Sequence, residues 1–214
     1  MAVILVDPAV TYEKFERELQ LWKDNSDHER RGWLLLKEDR SVPSVELAFL
    51  AGVATSAPTG FLPVIVCAVR LSYENYDLWP PSLTFIDAFS KKPARPHVRA
   101  FQSTPQGPRD VLIDGHPLTG LPFLCLPGIR EYHTHPQHTG DDWLLHRPLK
   151  DGTLMNVCER IWRMMVRNVV GLHVAVQALP ALPLQAQVVV QIVQGDVSVS
   201  QPPPKPESEL RVPK

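Results

Sequence analysis

Between Cys125 and His146 the chain gathers the groups that do chemistry near neutral pH: a thiol, the imidazoles of His133, His135, His138 and His146, and the carboxylates of Glu131, Asp141 and Asp142. Two mechanisms use such a set. In the first, the Cys125 thiolate attacks an activated acyl group and forms a thioester. His133 or His135 then lowers the thiol pKa or deprotonates an incoming amine, and Glu131 orients the imidazole. In the second, the same residues hold a metal. Residues at i and i+2 of an extended segment point the same way, so Glu131, His133 and His135 would line one face. Cys125 would close a tetrahedral site from the preceding strand, a donor set that suits Zn²⁺. A filled four-ligand site leaves no free thiolate, so the two readings disagree on the state of Cys125.

The other candidates read more plainly. Cys67 lies in an apolar strand and Cys158 on a helix, and both read as core residues. His28, His97 and His173 are isolated in sequence. Cys125 itself follows Leu121-Pro122-Phe123-Leu124, so a packing role stands beside the chemical one. His138 and His146 read equally well as plain loop residues, and Trp143 and Trp162 as packing anchors.

These groups need a scaffold, and the flanking pattern supplies one. Tyr12, Phe15, Leu19 and Trp22 fall on one stripe of a helix over residues 11–26. Strands follow at 32–36, 45–51, 63–69 and 82–86, separated by short turns, one of them at 54–60. The third is β-branched and apolar enough to be central. One helix followed by consecutive strands is an α+β meander and not a βαβ alternation. Residues 88–110 read as a long loop with a short strand near 98–101, and 115–150 as a second irregular stretch. A loop of that length inside a compact domain is usually functional or disordered, and its histidines and aromatics favour function here. A second helix is expected at 152–168, with Leu154, Val157, Ile161 and Met165 on one face and Asp151 as its cap. A late strand is expected around Val188 to Val193. The Pro-rich residues 201–214 read as a disordered tail.

Composition narrows the function classes. The 214 residues are 44% hydrophobic and 21% charged, which suits one domain over residues 1–200. A net charge of −1 gives no electrostatic footprint for nucleic acid. Three scattered cysteines make no disulfide framework and point to a reducing, cytoplasmic compartment. No segment has the length and apolarity of a membrane span or signal peptide. The 22 prolines argue against a helical bundle and favour short strands and rigid loops.

The order of features over residues 11–168 resembles the ubiquitin-conjugating (E2) fold. The Trp79-Pro80-Pro81 segment before the fourth strand is similar to the Pro-Pro of that family. His116-Pro117-Leu118, then Gly120, then Cys125-Leu126 is similar to its His-Pro-Asn, Gly and active Cys-Leu, and Trp143 precedes the second helix. Leu118 stands where that motif has Asn, and the interval from Cys125 to Trp143 is long. Cys125, Glu131, His133 and His135 are similar to the signature of a bacterial E2-like family, predicted to bind metal, that occurs with ubiquitin-like proteins, E1-like adenylating enzymes and JAMM-type peptidases.

The resemblance implies a carrier of a ubiquitin-like protein. Cys125 would take the modifier's C-terminal glycyl group from an E1-like enzyme and pass it to a protein target. His133 or His135 would be the base, Glu131 its orienting group, and His116 a buttress of the active-site loop. The alternative keeps the fold and places Zn²⁺ on Cys125, Glu131, His133 and His135. A third reading, a JAMM-like zinc peptidase, rests on His133-Thr134-His135-Pro136 followed by Thr139 and Asp142, with Glu29 upstream.

Overall fold

In the computed structural model the described residues are 4–54, 60–178 and 186–195. The turn at 54–60 and the tail at 201–214 lie largely or wholly outside them. Helix α1 (Pro8–Asp24) opens with Asp7 as N-cap, its carboxylate accepting from the Ala9 N–H at 2.8 Å. Pro8 suits the first helical turn, where its missing N–H has no partner to lose. The helix buries Thr11, Phe15, Leu19 and Trp22, so Thr11 takes the place expected for Tyr12 at its start. A single turn, α2 (Asp27–Arg30), leads into the sheet.

The sheet is an antiparallel meander of β1 (Trp33–Asp39), β2 (Ser44–Ala54), β3 (Phe61–Ser72) and β4 (Ser82–Ile86), ordered as in the chain. The period-2 pattern of β2 sends Val45, Leu47, Phe49 and Ala51 into the main core beneath α1. The intervening residues face the other way. There Ala48 joins Ala68 and Ile86 in a small second cluster. Glu46 on that face is buried and paired through one oxygen with Arg70, directly opposite on β3, whose Nη2 donates to Oε1 at 2.7 Å.

Beyond β4 the chain makes short elements. Residues 101–110 form a hairpin, β5 (Phe101–Thr104) and β6 (Gly107–Asp110), where a loop with a strand slightly earlier was expected. The two-residue strands β7 (Leu112–Ile113) and β8 (Phe123–Leu124) pair with each other. Helical turns α3 (Arg130–His133) and α4 (Trp143–His146) follow, and then α5 (Leu154–Ile161), which continues as a π-helical turn over Trp162–Val166. The expected stripe holds: Leu154, Val157, Ile161 and Met165 are all buried. Thr153, and not Asp151, occupies the N-cap position of α5, because Asp151 spends its carboxylate on His146. Strands β9 (Val169–Ala178) and β10 (Ala186–Gln194) form an antiparallel ribbon, one strand more than the sequence suggested. No helix among the described residues is long and apolar enough to cross a membrane.

Candidate active site

Cys125 sits at the end of β8. Its N–H donates to the Val111 carbonyl at 2.8 Å, and Leu112 pairs with Leu124, so the thiol is carried on a backbone fixed from one side. Its side chain is 9% exposed, against 5% for Cys67 and 0% for Cys158, so of the three thiols Cys125 is the one solvent reaches most. Burial pushes the Cys67 thiol up to about 12 and raises Cys158 as well, the behaviour of inert core cysteines. Burial also raises the Cys125 thiol, with the Arg109 cation pulling it down.

The imidazole that meets this thiol is His138. Its Nε2 lies 3.2 Å from Cys125 Sγ. His138 belongs to a 3₁₀ turn, Pro136–His138, and its ring stacks on Tyr132 at a centroid distance of 4.0 Å. Burial, and then the neighbouring His135, lower the His138 pKa. A thiol that stays protonated therefore faces an imidazole that stays neutral, which is a donor–acceptor pair ready for proton transfer. Spacing alone pointed to the His133-x-His135 pair. The signal for His138 was only its place 13 residues after Cys125, and the turn that returns it to the thiol is tertiary.

The residues from Glu131 to His135 are not extended. Arg130–His133 is a helical turn, so Glu131 and His133 leave it in different directions, and the common face expected for an i, i+2 pair does not form. Glu131 is buried and points at β4, where its Oε2 accepts from the Leu83 N–H at 2.9 Å and its Oε1 from the Ser82 hydroxyl. It anchors the turn to the sheet and orients no imidazole by side-chain contact. His133 is engaged at both nitrogens: Nδ1 donates to the Asp141 carbonyl at 2.9 Å and Nε2 accepts from the Gly128 N–H at 3.0 Å. Burial lowers its pKa, in keeping with a ring whose second nitrogen must remain an acceptor. His135 stacks on Phe123 and caps the 3₁₀ turn, its Nδ1 accepting from the Gln137 N–H.

His116 lies against the turn that carries Glu131. It is buried, its Nε2 donates to the Glu131 carbonyl at 2.9 Å, and its Nδ1 accepts from the Leu118 N–H. Leu118 itself is 73% exposed and offers no side-chain donor. Trp79-Pro80-Pro81 grips the same turn from the other side. The Arg130 N–H donates to the Pro81 carbonyl, its guanidinium to the Pro80 and Glu74 carbonyls, and it stacks on Trp79. Gly128 has φ +86°, and a Cβ there would lie 2.5 Å from the Asp151 carbonyl carbon, so this close approach needs glycine.

A second imidazole closes the segment. His146 is held between two carboxylates, Nδ1 to Asp151 Oδ2 at 3.0 Å and Nε2 to Asp141 Oδ1 at 2.5 Å. Burial works against its charged form, but the two hydrogen bonds outweigh it and its pKa is raised. Asp141 also accepts from the Tyr132 hydroxyl. A continuous set of contacts thus runs from Asp151 through His146, Asp141 and Tyr132 to the stacked His138. Beside it opens a cleft of about 500 Å³ lined by Trp79, Arg130, His133, His138, Asp142 and Leu144 among others.

The donor set expected for zinc does not converge. Glu131 is committed to β4, His133 has no free nitrogen, and among the described residues no three His, Cys, Asp or Glu are grouped to hold a metal ion. The residues as placed do not fit the ion, and the peptidase reading, which uses His133 and His135, meets the same arrangement.

A family model described as Y4jH-like matches residues 6–104 and 106–169, which covers α1, the meander and the whole thiol site. The chain belongs to the Y4jH family. A relative, protein y4jH of Sinorhizobium fredii (strain NBRC 101917 / NGR234), described as uncharacterized, is 33% identical over 176 residues, spanning 73% of this chain and 82% of that protein. The family match ends at residue 169, where the β9–β10 ribbon begins, so family membership rests on the scaffold and the site together.

Proposed function

We propose that this member of the Y4jH family is an E2-like carrier of a ubiquitin-like protein, with Cys125 as the acyl-accepting thiol. The observation that carries the reading is the 3.2 Å contact between Cys125 Sγ and His138 Nε2, presented at the end of a strand downstream of a helix and a four-stranded antiparallel meander. Support comes also from His116 and the Trp79-Pro80-Pro81 segment, which brace the turn after Cys125 from two sides. His138 takes the role of base that spacing offered to His133 or His135. Glu131 anchors the turn. An E1-like adenylating enzyme would supply the activated modifier, and an amine or hydroxyl of a protein target would receive it.

The test uses a short peptide ending in Gly-Gly as its mercaptoethanesulfonate thioester. Intact-mass measurement should show one peptide acyl group added with loss of mercaptoethanesulfonate, and dithiothreitol should remove it. Cys125→Ala should abolish the adduct, while a Cys67→Ala, Cys158→Ala double variant keeps it. An adduct that persists in Cys125→Ala, or none in the unmodified protein, overturns the proposal. The zinc reading would require Glu131 and His133 to exchange their present bonds for metal ones. Elemental analysis of protein purified without chelators checks it, with stoichiometric zinc lost in a His133→Ala, His135→Ala double variant as the result in its favour.

A further inference from the structure

A reacting imidazole is ordinarily fixed by the hydrogen bond that its second nitrogen makes. His133 has both nitrogens bonded, and His146 lies between two carboxylates. His138, the imidazole in contact with the thiol, is held differently. Its Nε2 meets Cys125 Sγ at 3.2 Å, and its Nδ1 has no partner among the described residues. What fixes the ring is its face. Tyr132 lies against that face with 4.0 Å between ring centroids and 29° between the planes. The His135 ring stands further off, at 5.5 Å and 57°.

Tyr132 is itself fixed. It is buried, and its hydroxyl donates to Asp141 Oδ2. The other oxygen of that carboxylate is bonded to His146 Nε2, and His146 Nδ1 to Asp151. Burial, and then the bond to Asp141, raise the Tyr132 hydroxyl pKa, so the ring stays a neutral phenol. A phenol that donates to a carboxylate is polarised toward its anion and carries more π density than a free one. An electron-rich face attracts a cation stacked on it. His138 is uncharged at rest, because burial and then His135 lower its pKa; of the more distant charges, Asp141 raises it and Arg109 lowers it. It becomes a cation only when it takes a proton, and the group in contact with its Nε2 is the Cys125 thiol.

We infer that the Tyr132 ring stabilises the His138 imidazolium formed during acyl transfer, in place of a carboxylate on Nδ1, an inference that rests on Cys125 being the acyl carrier and His138 its base. As Sγ bonds to the carbonyl carbon of the incoming thioester, the thiol proton passes to His138 Nε2 and the C=O π pair moves onto oxygen. The pair then returns, the bond to the donor sulfur breaks, and the donor leaves as a thiol with the proton from His138. Between the two steps the positive charge lies over the face of Tyr132. Tyr132 touches neither the acyl group nor the sulfur in this scheme. It is a positioning residue, acting through His138, and the Asp141–His146–Asp151 clasp holds it there.

The test changes the electronics of the ring and keeps its shape, which a packing role alone would not register. Tyr132→Phe is compared with a variant in which the same position carries a trifluorinated phenylalanine, introduced at a reassigned stop codon, whose face is depleted of π density. The titration of His138 is followed through its ring protons by NMR, assigned by their absence in His138→Gln. Acylation by the Gly-Gly peptide thioester is timed by intact mass. The His138 midpoint should move to lower pH from the unmodified protein to Tyr132→Phe and further in the fluorinated variant. Acylation should slow by about five-fold between the last two. The His116 ring signals should stay in place in all three proteins, showing that the segment keeps its fold. Equal midpoints in the two ring variants overturn the stabilisation. A midpoint that moves while acylation keeps its rate overturns its part in transfer. An unmodified protein that takes no acyl group overturns the carrier reading, and a midpoint that still moves then leaves the pairing of Tyr132 with His138 standing.

Discussion

The meander with its two helices and the segment from Val111 to Asp151 are held together by different physics. The meander is a ladder of backbone hydrogen bonds under a continuous apolar core in which Phe15, Trp22, Trp33, Phe49 and Leu71 are almost entirely enclosed. The thiol segment has two two-residue strands and four short helical turns, two of them 3₁₀, with its buried apolar residues concentrated at Val111–Leu112, Phe123–Leu126, Ile129 and Trp143. Its shape comes from side chains bonding to backbone: His116 to the Glu131 carbonyl, His133 to Gly128 and Asp141, Glu131 to Leu83. Apolar burial is insensitive to pH, whereas imidazole and carboxylate bonds are not. The scaffold is therefore a fixed platform, and the thiol stands on a part that protonation can loosen.

The comparison breaks most visibly in the core. Phe49→Ala removes a fully enclosed ring from the central strands and should cost about 3–5 kcal/mol of global stability, read in a urea unfolding curve. The cost should be independent of pH between about 6 and 8, since no titrating side chain is involved. A loss under about 1 kcal/mol would show that β2 does not carry the core as described.

Glu131→Ala acts at the join between the two regions. It leaves the Leu83 N–H and the Ser82 hydroxyl without their carboxylate, an effect of about 1–3 kcal/mol. The expected signature is local as well as global. Iodoacetamide should reach Cys125 several-fold faster, because the turn that carries Tyr132 and leads to His138 loses its anchor to β4. Equal labelling rates in the two proteins would mean that β4 does not position the thiol site.

The smallest effect is the pH dependence of the segment, and its sign follows from the two kinds of histidine. His146 has a raised pKa, so its bonds to Asp141 and Asp151 are fully present below the ordinary imidazole value of about 6.5 and are lost as pH rises through the higher folded value. His133 has a lowered pKa, so its contribution is present above about 6.5 and lost as pH falls through the lower folded value. Between the two values His146 is charged, His133 is neutral, and the segment is tightest. Amide exchange at Gly128, corrected for intrinsic base catalysis, should show increased opening on both sides of that window. His146→Gln should remove the alkaline limb and leave the acidic one. A variant that keeps both limbs would assign the alkaline change to another group.

Much of the scaffold was legible in the sequence, because period and burial are local properties that repeat. Phe15, Leu19 and Trp22 marked one face of α1, the β-branched run around Val66 marked a central strand, and Leu154 to Met165 marked α5. The clustering of Cys125 with imidazoles and carboxylates was legible too, since it is a matter of residue type and spacing. The assignment of partners was not. Treating Glu131 to His135 as extended put three side chains on one face, and a helical turn followed at once by a 3₁₀ turn sent them to three different places.

The sequence by itself determined which residues can be core and which segment gathers thiol, imidazoles and carboxylates, because hydrophobic periodicity and residue type need no partner to be read. Only the tertiary structure decided that His138 meets the thiol, that His146 is clasped by Asp141 and Asp151, and that Glu131 turns away to the backbone of β4. Those outcomes depend on where short irregular turns bring side chains from separate segments. Such turns are set by a few hydrogen bonds each, and no periodic pattern announces them.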